Sequence, residues 1–198
     1  WGRNTVDDSL ADADADADKE CVFAVVEPGE ARSTKSVAFL DHCHALQAGR
    51  ALPRWSDFKL HELPADIIPY MAVIDTNGAD GSFTYRFWGT GHTALKGVDM
   101  TGRKVSDIAA SAMARMGQRQ YEMVVAACRP LIFVHTLTPY NPWKTDIQVA
   151  VRVPMSEDGK SIDRVVSYSN YVEDRKIWAD IYCRALNAGG ETKMSANS

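Results

Sequence analysis

The sequence predicts an α+β domain: a five-stranded antiparallel sheet with helices on one face, plus flanking N- and C-terminal helices. Three observations predict it. Two β-forming runs, Tyr70–Asp75 and Phe83–Trp88, are separated by a loop holding the turn dipeptides Asn77-Gly78 and Asp80-Gly81, a hairpin signature. A long amphipathic segment over 106–128 follows. Three further strand-like runs then succeed one another with only turns and loops between them, which favours antiparallel pairing.

The elements follow in chain order. Residues 11–18 repeat Ala-Asp four times and offer no apolar face, so residues 1–33 are expected to form a disordered acidic tail. A helix is expected over 34–49. Val37, Phe39, Leu40, Cys43 and Leu46 share one side of its wheel, Ser33 or Thr34 can cap its start, and Gly49 can stop it. Residues 50–57 read as an extended connector fixed by Pro53, and Pro64 and Pro69 bracket a short turn of helix around Asp66–Ile68.

In the second hairpin strand, Phe83, Tyr85 and Phe87 alternate with Thr84, Arg86 and Trp88. Glycines break residues 89–105 into short helical turns. The long helix places Ala109, Ala112, Met113, Met116, Met123, Val124 and Ala127 on one face, and Pro130 ends it. Leu131–Leu137, Thr145–Val153 and Ile162–Tyr171 are the remaining strands, with a turn at Ser156–Lys160. A closing helix over Asp174–Ala185 carries Ile177, Trp178, Ile181 and Tyr182.

The expected organisation is therefore a tail (1–33), a single domain (34–185, core about 50–172) and a loose C-terminal tail (186–198). The row of Phe83, Tyr85, Phe87, Val149 and Val151 is expected to pack on the short helices and the 106–128 helix. The opposite face, with Arg86 and Trp88, is expected to lie under the 34–49 helix or a second subunit.

Composition narrows the function classes. The 198 residues are 45% hydrophobic and 24% charged with a net charge of −4, ordinary for a globular domain. Residues 1–20 carry seven acids and two bases; the other 178 carry nineteen acids and twenty bases. The folded part is thus nearly neutral and holds no Lys/Arg run, so a nucleic-acid partner is not expected. No apolar stretch approaches the length of a membrane span, and no basic-then-apolar leader opens the chain, so membrane association is not expected. Cys21, Cys43, Cys128 and Cys183 form no CxxC pair and suit free thiols in a cytoplasmic setting. The chain does not start with Met, which suits a processed protein or a segment of a longer one.

Three short motifs carry a resemblance. Gly49-Arg50-Ala51-Leu52-Pro53-Arg54 precedes the hairpin. Tyr85-Arg86-Phe87-Trp88-Gly89-Thr90 ends its second strand, and Met100-Thr101-Gly102-Arg103 follows about a dozen residues later. In this order and spacing they resemble the bacterial family of small stand-alone PAS-domain proteins, over roughly residues 37–172. The resemblance implies an antiparallel five-stranded sheet with helices across its concave face, often around a small cavity. It implies a sensory or regulatory role in signal transduction, commonly as a homodimer, and names no ligand. No kinase, cyclase or DNA-binding segment accompanies the domain, so output is expected through a protein partner or the dimer.

Candidate binding residues follow from this frame. Tyr85, Phe87, His92, Met113, Met116, His135, Val149 and Tyr168 are expected to line an interior ligand site. Arg86, Trp88 and Arg54 are expected to contact an anion or an interface. Arg86 could alternatively pair with Asp57 or Asp75 and tie the connector to the sheet. A covalent flavin is not expected, because no cysteine stands in the reactive Asn-Cys-Arg-Phe-type context of light-sensing relatives. Haem would need an axial ligand, for which His92 and His135 are the candidates, and it too is not expected. Asp41-His42-Cys43-His44 superficially resembles a metal cluster. At i, i+2 on a helix, however, the two imidazoles diverge, so no metal site is expected. Cys128 is expected to pack as a small hydrophobe. Trp55, Tyr140 and Trp143 lie in predicted loops, and Asn141-Pro142-Trp143, joining two strands, could form a lip over a cavity.

No catalytic residue is expected. The principal alternative is a ligand-free adaptor with a filled core. A less favoured one is an acid/base enzyme on a cone-like α+β fold. The order of elements opposes that enzyme, because its helices would precede the main sheet.

Overall fold

A computed structural model describes residues 23–30, 33–76, 81–136 and 147–171. Its strands are β1 (Phe23–Val26), β2 (Met71–Asp75), β3 (Thr84–Trp88), β4 (Leu131–Thr136), β5 (Ile147–Met155) and β6 (Arg164–Asn170). Its α-helices are α1 (Thr34–Ala45), α2 (Thr90–Lys96) and α3 (Ser111–Ala127). The strands form a single six-stranded antiparallel sheet in the order β1-β4-β5-β6-β2-β3.

The predicted strands appear as an antiparallel α+β sheet, with one correction to their number. Strands number six, because Phe23–Val26, inside the segment expected to be disordered, pairs with β4 from Phe23↔His135 to Val26↔Ile132. The short apolar run Phe23-Ala-Val-Val26 gains a ladder and a buried face that its acidic neighbours do not offer. The helix at 34–45 covers the face opposite the long helix, one of the two coverings expected, so the central strands are buried on two sides, but Trp88, expected on that face, lies on the long-helix side. All nine residues of β5 are buried. The closing helix expected over 174–185 and the 140–143 loop lie outside the described residues.

α1 begins as expected: Ser33 is its N-cap, and its hydroxyl accepts from the Ser36 amide. It ends at Ala45, before a turn in which Gly49 takes φ 82°. α1 and the connector after it cover one face. Phe39, Cys43, Phe58, Leu63, Ile67, Met71, Val73, Val149, Val151, Val153, Val166 and Tyr168 pack together there. The connector is pinned by Arg50–Asp57 at 2.7 Å, by Glu157 accepting from Ser56, and by the Ser156 amide donating to the Pro53 carbonyl.

α3 and a 3-10 turn at Val105–Asp107 cover the other face, where Phe23, Ile74, Tyr85, Trp88, Met113, Met116, Tyr121, Val124 and Phe133 pack. The expected helix start at Ser106 or Asp107 is instead this turn, with the Asp107 carboxylate accepting from the Lys104 amide. The helix ends on Cys128, held at φ 51° with an exposed side chain whose thiol donates to the Val125 carbonyl. Cys128 is therefore not a packed hydrophobe.

Two of the three motifs meet. The Tyr85 carbonyl accepts from Gly102 N–H, and Tyr85 N–H donates to the Arg103 carbonyl, so residues 100–103 close onto β3. Gly102 takes φ 78° to make that turn. Gly89 is required for close approach: a Cβ there would sit 2.3 Å from the Pro69 carbonyl oxygen.

Candidate functional site

The expected interior row splits between the two faces. Between Val73 and Ile74 the β2–β3 register shifts, so that Val73 faces Phe87 while Ile74 faces Tyr85. Arg86 is the extra residue of this bulge. Tyr85 and Trp88 therefore share the α3 side, whereas Phe87 turns to the α1 side. Val149 and Tyr168 also lie on the α1 side, with Tyr168 tilted against Phe39 at 6.1 Å between ring centroids. The expectation that Phe87, Val149 and Val151 pack under the long helix is thus corrected. The bulge breaks the alternation in β3, and β5 carries a different row toward α3.

That row is Gln148, Ala150 and Arg152, which alternate with Val149, Val151 and Val153 along β5. Five of the expected residues, Tyr85, His92, Met113, Met116 and His135, gather with it on the α3 side. Trp88 joins them, stacked on His92 at 4.5 Å and edge-on to Tyr85 at 4.8 Å. Arg86 stays at the surface, paired with Asp75 at 2.8 Å, and Arg54 reaches Glu157 at 3.8 Å.

The α3-side interior has two polar ends. At one end Arg152 is buried. Its Nη2–H donates to Gln120 Oε1 at 2.6 Å and its Nη1–H to Ser167 Oγ at 3.4 Å. Its guanidinium lies 3.9 Å from the centroid of the Tyr121 ring and 5.7 Å from that of Phe133. Among the described residues it has no acidic partner. At the other end His135 Nε2 lies 3.2 Å from Gln148 Oε1, and the Gln148 amide donates to Ser169 Oγ. Nearby, His92 Nδ1 and the Tyr171 hydroxyl are 2.8 Å apart, and Tyr70 packs against both rings. Between the two ends lies a floor of small side chains, Ala150, Ser167, Ser169 and Ala72, set side by side by the β5–β6 and β6–β2 registers.

Burial sets the charge states. It drives the pKa of His92 and of His135 down to about 3, with further depression from the nearby cations Lys96 and Arg152. Both imidazoles are neutral in the folded protein. Burial likewise raises the phenols of Tyr85 and Tyr171. Arg152 is the buried charge of the set.

Polar satisfaction is incomplete in this region. Arg152 Nε, Gln120 Nε2 and His135 Nδ1 have no hydrogen-bond partner within the described protein, although all three side chains are more than nine-tenths buried. Buried polar atoms are normally paired; Ser36 Oγ and His42 Nε2 on α1 are unpaired too, so what sets this interior apart is that its unpaired donors belong to a buried guanidinium and to the amide bonded to it. Gln120, Tyr121, Gln148, Arg152, Ser167, Ser169 and Tyr171 escaped the sequence analysis. One signal was available: two amphipathic helices imply a sheet covered on both faces, and then neither row of its central strand meets water.

A surface groove of about 260 Å³ lies elsewhere, against α1, lined by Val37, Leu40, Cys43, Pro130 and Val153 among others. No group of three or more metal-ligating side chains occurs among the described residues, and none of their helices is long and apolar enough to cross a membrane. No family model, no curated protein and no solved structure matches the chain.

Proposed function

We propose that this protein is a PAS-type sensory module that binds a small molecule between its sheet and α3, and acts in the cytoplasm as a homodimer on a protein partner. The observation that carries this reading is the buried Arg152 guanidinium with unpaired donors on Arg152 and Gln120, set against aromatic rings beside a floor of small side chains. A core built only for stability would hold apolar groups there. Three further features support it: the motif order, the antiparallel sheet crossed by a helix, and the closure of residues 100–103 onto Tyr85. Met113 and Met116 supply an adaptable roof. A ligand that favours one docking of the helices would shift their population and transmit the signal.

Native mass spectrometry of the freshly purified full chain tests the reading. The expected result is a dimer carrying a dissociable extra mass. A species with no extra mass, from protein expressed in several hosts, would favour the ligand-free adaptor.

A further inference from the structure

We infer that the ligand is a small monocarboxylate with a flat apolar body, its carboxylate held by the Arg152 guanidinium and the Gln120 side-chain amide. This inference rests on the ligand-binding reading above and names the class of molecule that the same interior would take.

Donor and acceptor arithmetic points to an anion. A guanidinium carries five N–H donors. Among the described residues, those of Arg152 find only Gln120 Oε1 and Ser167 Oγ, and Nε–H finds no acceptor. The Gln120 amide cannot be turned round to help, because flipping it would set its N–H₂ against Nη2–H at 2.6 Å. Its Nε2 therefore remains a donor, fully buried and unpaired. The free groups at this end of the interior are donors around a positive charge, and they call for an anionic acceptor.

Charge count and shape narrow the class. His92 and His135 are buried and neutral, so Arg152 supplies one uncompensated positive charge, and a monoanion neutralises it. Lys96 lies at the rim, its exposed side chain placing Nζ 5.7 Å from the Trp88 ring centroid. A planar carboxylate matches the guanidinium fork. Beyond it lie the small floor residues Ala150 and Ser169 and the rings of Phe133, Tyr85 and Trp88, apolar and aromatic surroundings that match a flat apolar body. Arg152 to Gln148 spans about 13 Å along β5. The unpaired His135 Nδ1 waits at the far end for a polar tip.

Calorimetric titration of the full chain tests this with three probes of one shape: 3-phenylpropanoate, the neutral 3-phenylpropanamide and the cationic 3-phenylpropylammonium. The expected result is saturable binding of the carboxylate, the amide weaker by at least about tenfold, and no binding of the cation. Arg152→Gln should weaken the carboxylate at least about tenfold. The carboxylate–amide comparison needs no substitution, so it decides the question even if that variant fails to fold. Equal binding of carboxylate and amide would overturn the anion assignment and leave the ligand-binding reading standing. Undiminished binding to a folded Arg152→Gln variant would do the same. If no probe binds, the assignment falls. A bound mass in native spectrometry would then keep the ligand-binding reading, and its absence would remove both.

Discussion

The same two central strands, β5 and β6, build two unlike interiors. Toward α1 they present Val149, Val151, Val153, Val166 and Tyr168, closed by Phe39 and Met71 into an ordinary apolar core. Toward α3 they present Gln148, Arg152, Ser167 and Ser169, with unpaired donors among them. Both sides are buried, so burial does not distinguish them; the chemistry of the two sheet rows does, apolar toward α1 and polar with a buried guanidinium toward α3. Hydrophobic contact accounts for the α1 side. On the α3 side, folding alone leaves a desolvation cost unexplained, and proteins tolerate such costs mostly at functional sites.

The contrast yields graded expectations. Phe39→Ala, at the centre of the α1 side, should cost about 3–5 kcal/mol in urea denaturation. A loss under about 1 kcal/mol would mean that this side is loosely packed, and the contrast would collapse.

Acid should act next, through the α3 side. His92 and His135 have folded pKa values of about 3, below the ordinary 6.5. The unfolded chain takes up protons that the folded chain refuses, so the stability they confer is complete above about pH 6.5 and is lost as pH falls toward 3. Each histidine contributes a slope of up to about 1.4 kcal/mol per pH unit in that window. Denaturation between pH 7 and pH 5, above the range of ordinary carboxylates, isolates the effect, and His135→Gln should reduce the slope. A flat profile would show that both rings are hydrated.

The smallest effect should come from the surface. Arg86→Ala breaks an exposed pair with Asp75, which Arg164 also contacts at 2.7 Å, and should change stability by under about 1 kcal/mol. A ligand-binding defect in this variant would relocate the anion site from Arg152 to the bulge.

Local pattern made much of the fold legible. The hairpin loop, the alternation in β5 and the amphipathic stripe of α3 each write their element into consecutive residues. β1 was not legible, because four apolar residues beside an acidic run become a strand only through pairing with β4, about a hundred residues away. The bulge at Arg86 was not legible either, since nothing in Tyr85-Arg86-Phe87 announces the extra residue, yet it decides which aromatics meet. Of the site, Tyr85, His92, Met113, Met116 and His135 were found from their place in the order of elements. Arg152 and Gln148 were hidden by their own alternation, which looks the same whether the second face meets water or another helix. Gln120 was hidden as a polar residue on a helix whose stripe seemed complete without it.

One measurement tests the central claim most directly: urea denaturation of the ligand-free Arg152→Met/Gln120→Leu double variant beside the unaltered protein. If the polar cluster serves a ligand rather than the fold, exchanging both hydrogen-bonded partners for apolar side chains of similar size should leave stability unchanged or raise it by about 1 kcal/mol. A loss of about 3 kcal/mol or more, equal to that of Phe39→Ala, would contradict it and make Arg152 a structural element of the core.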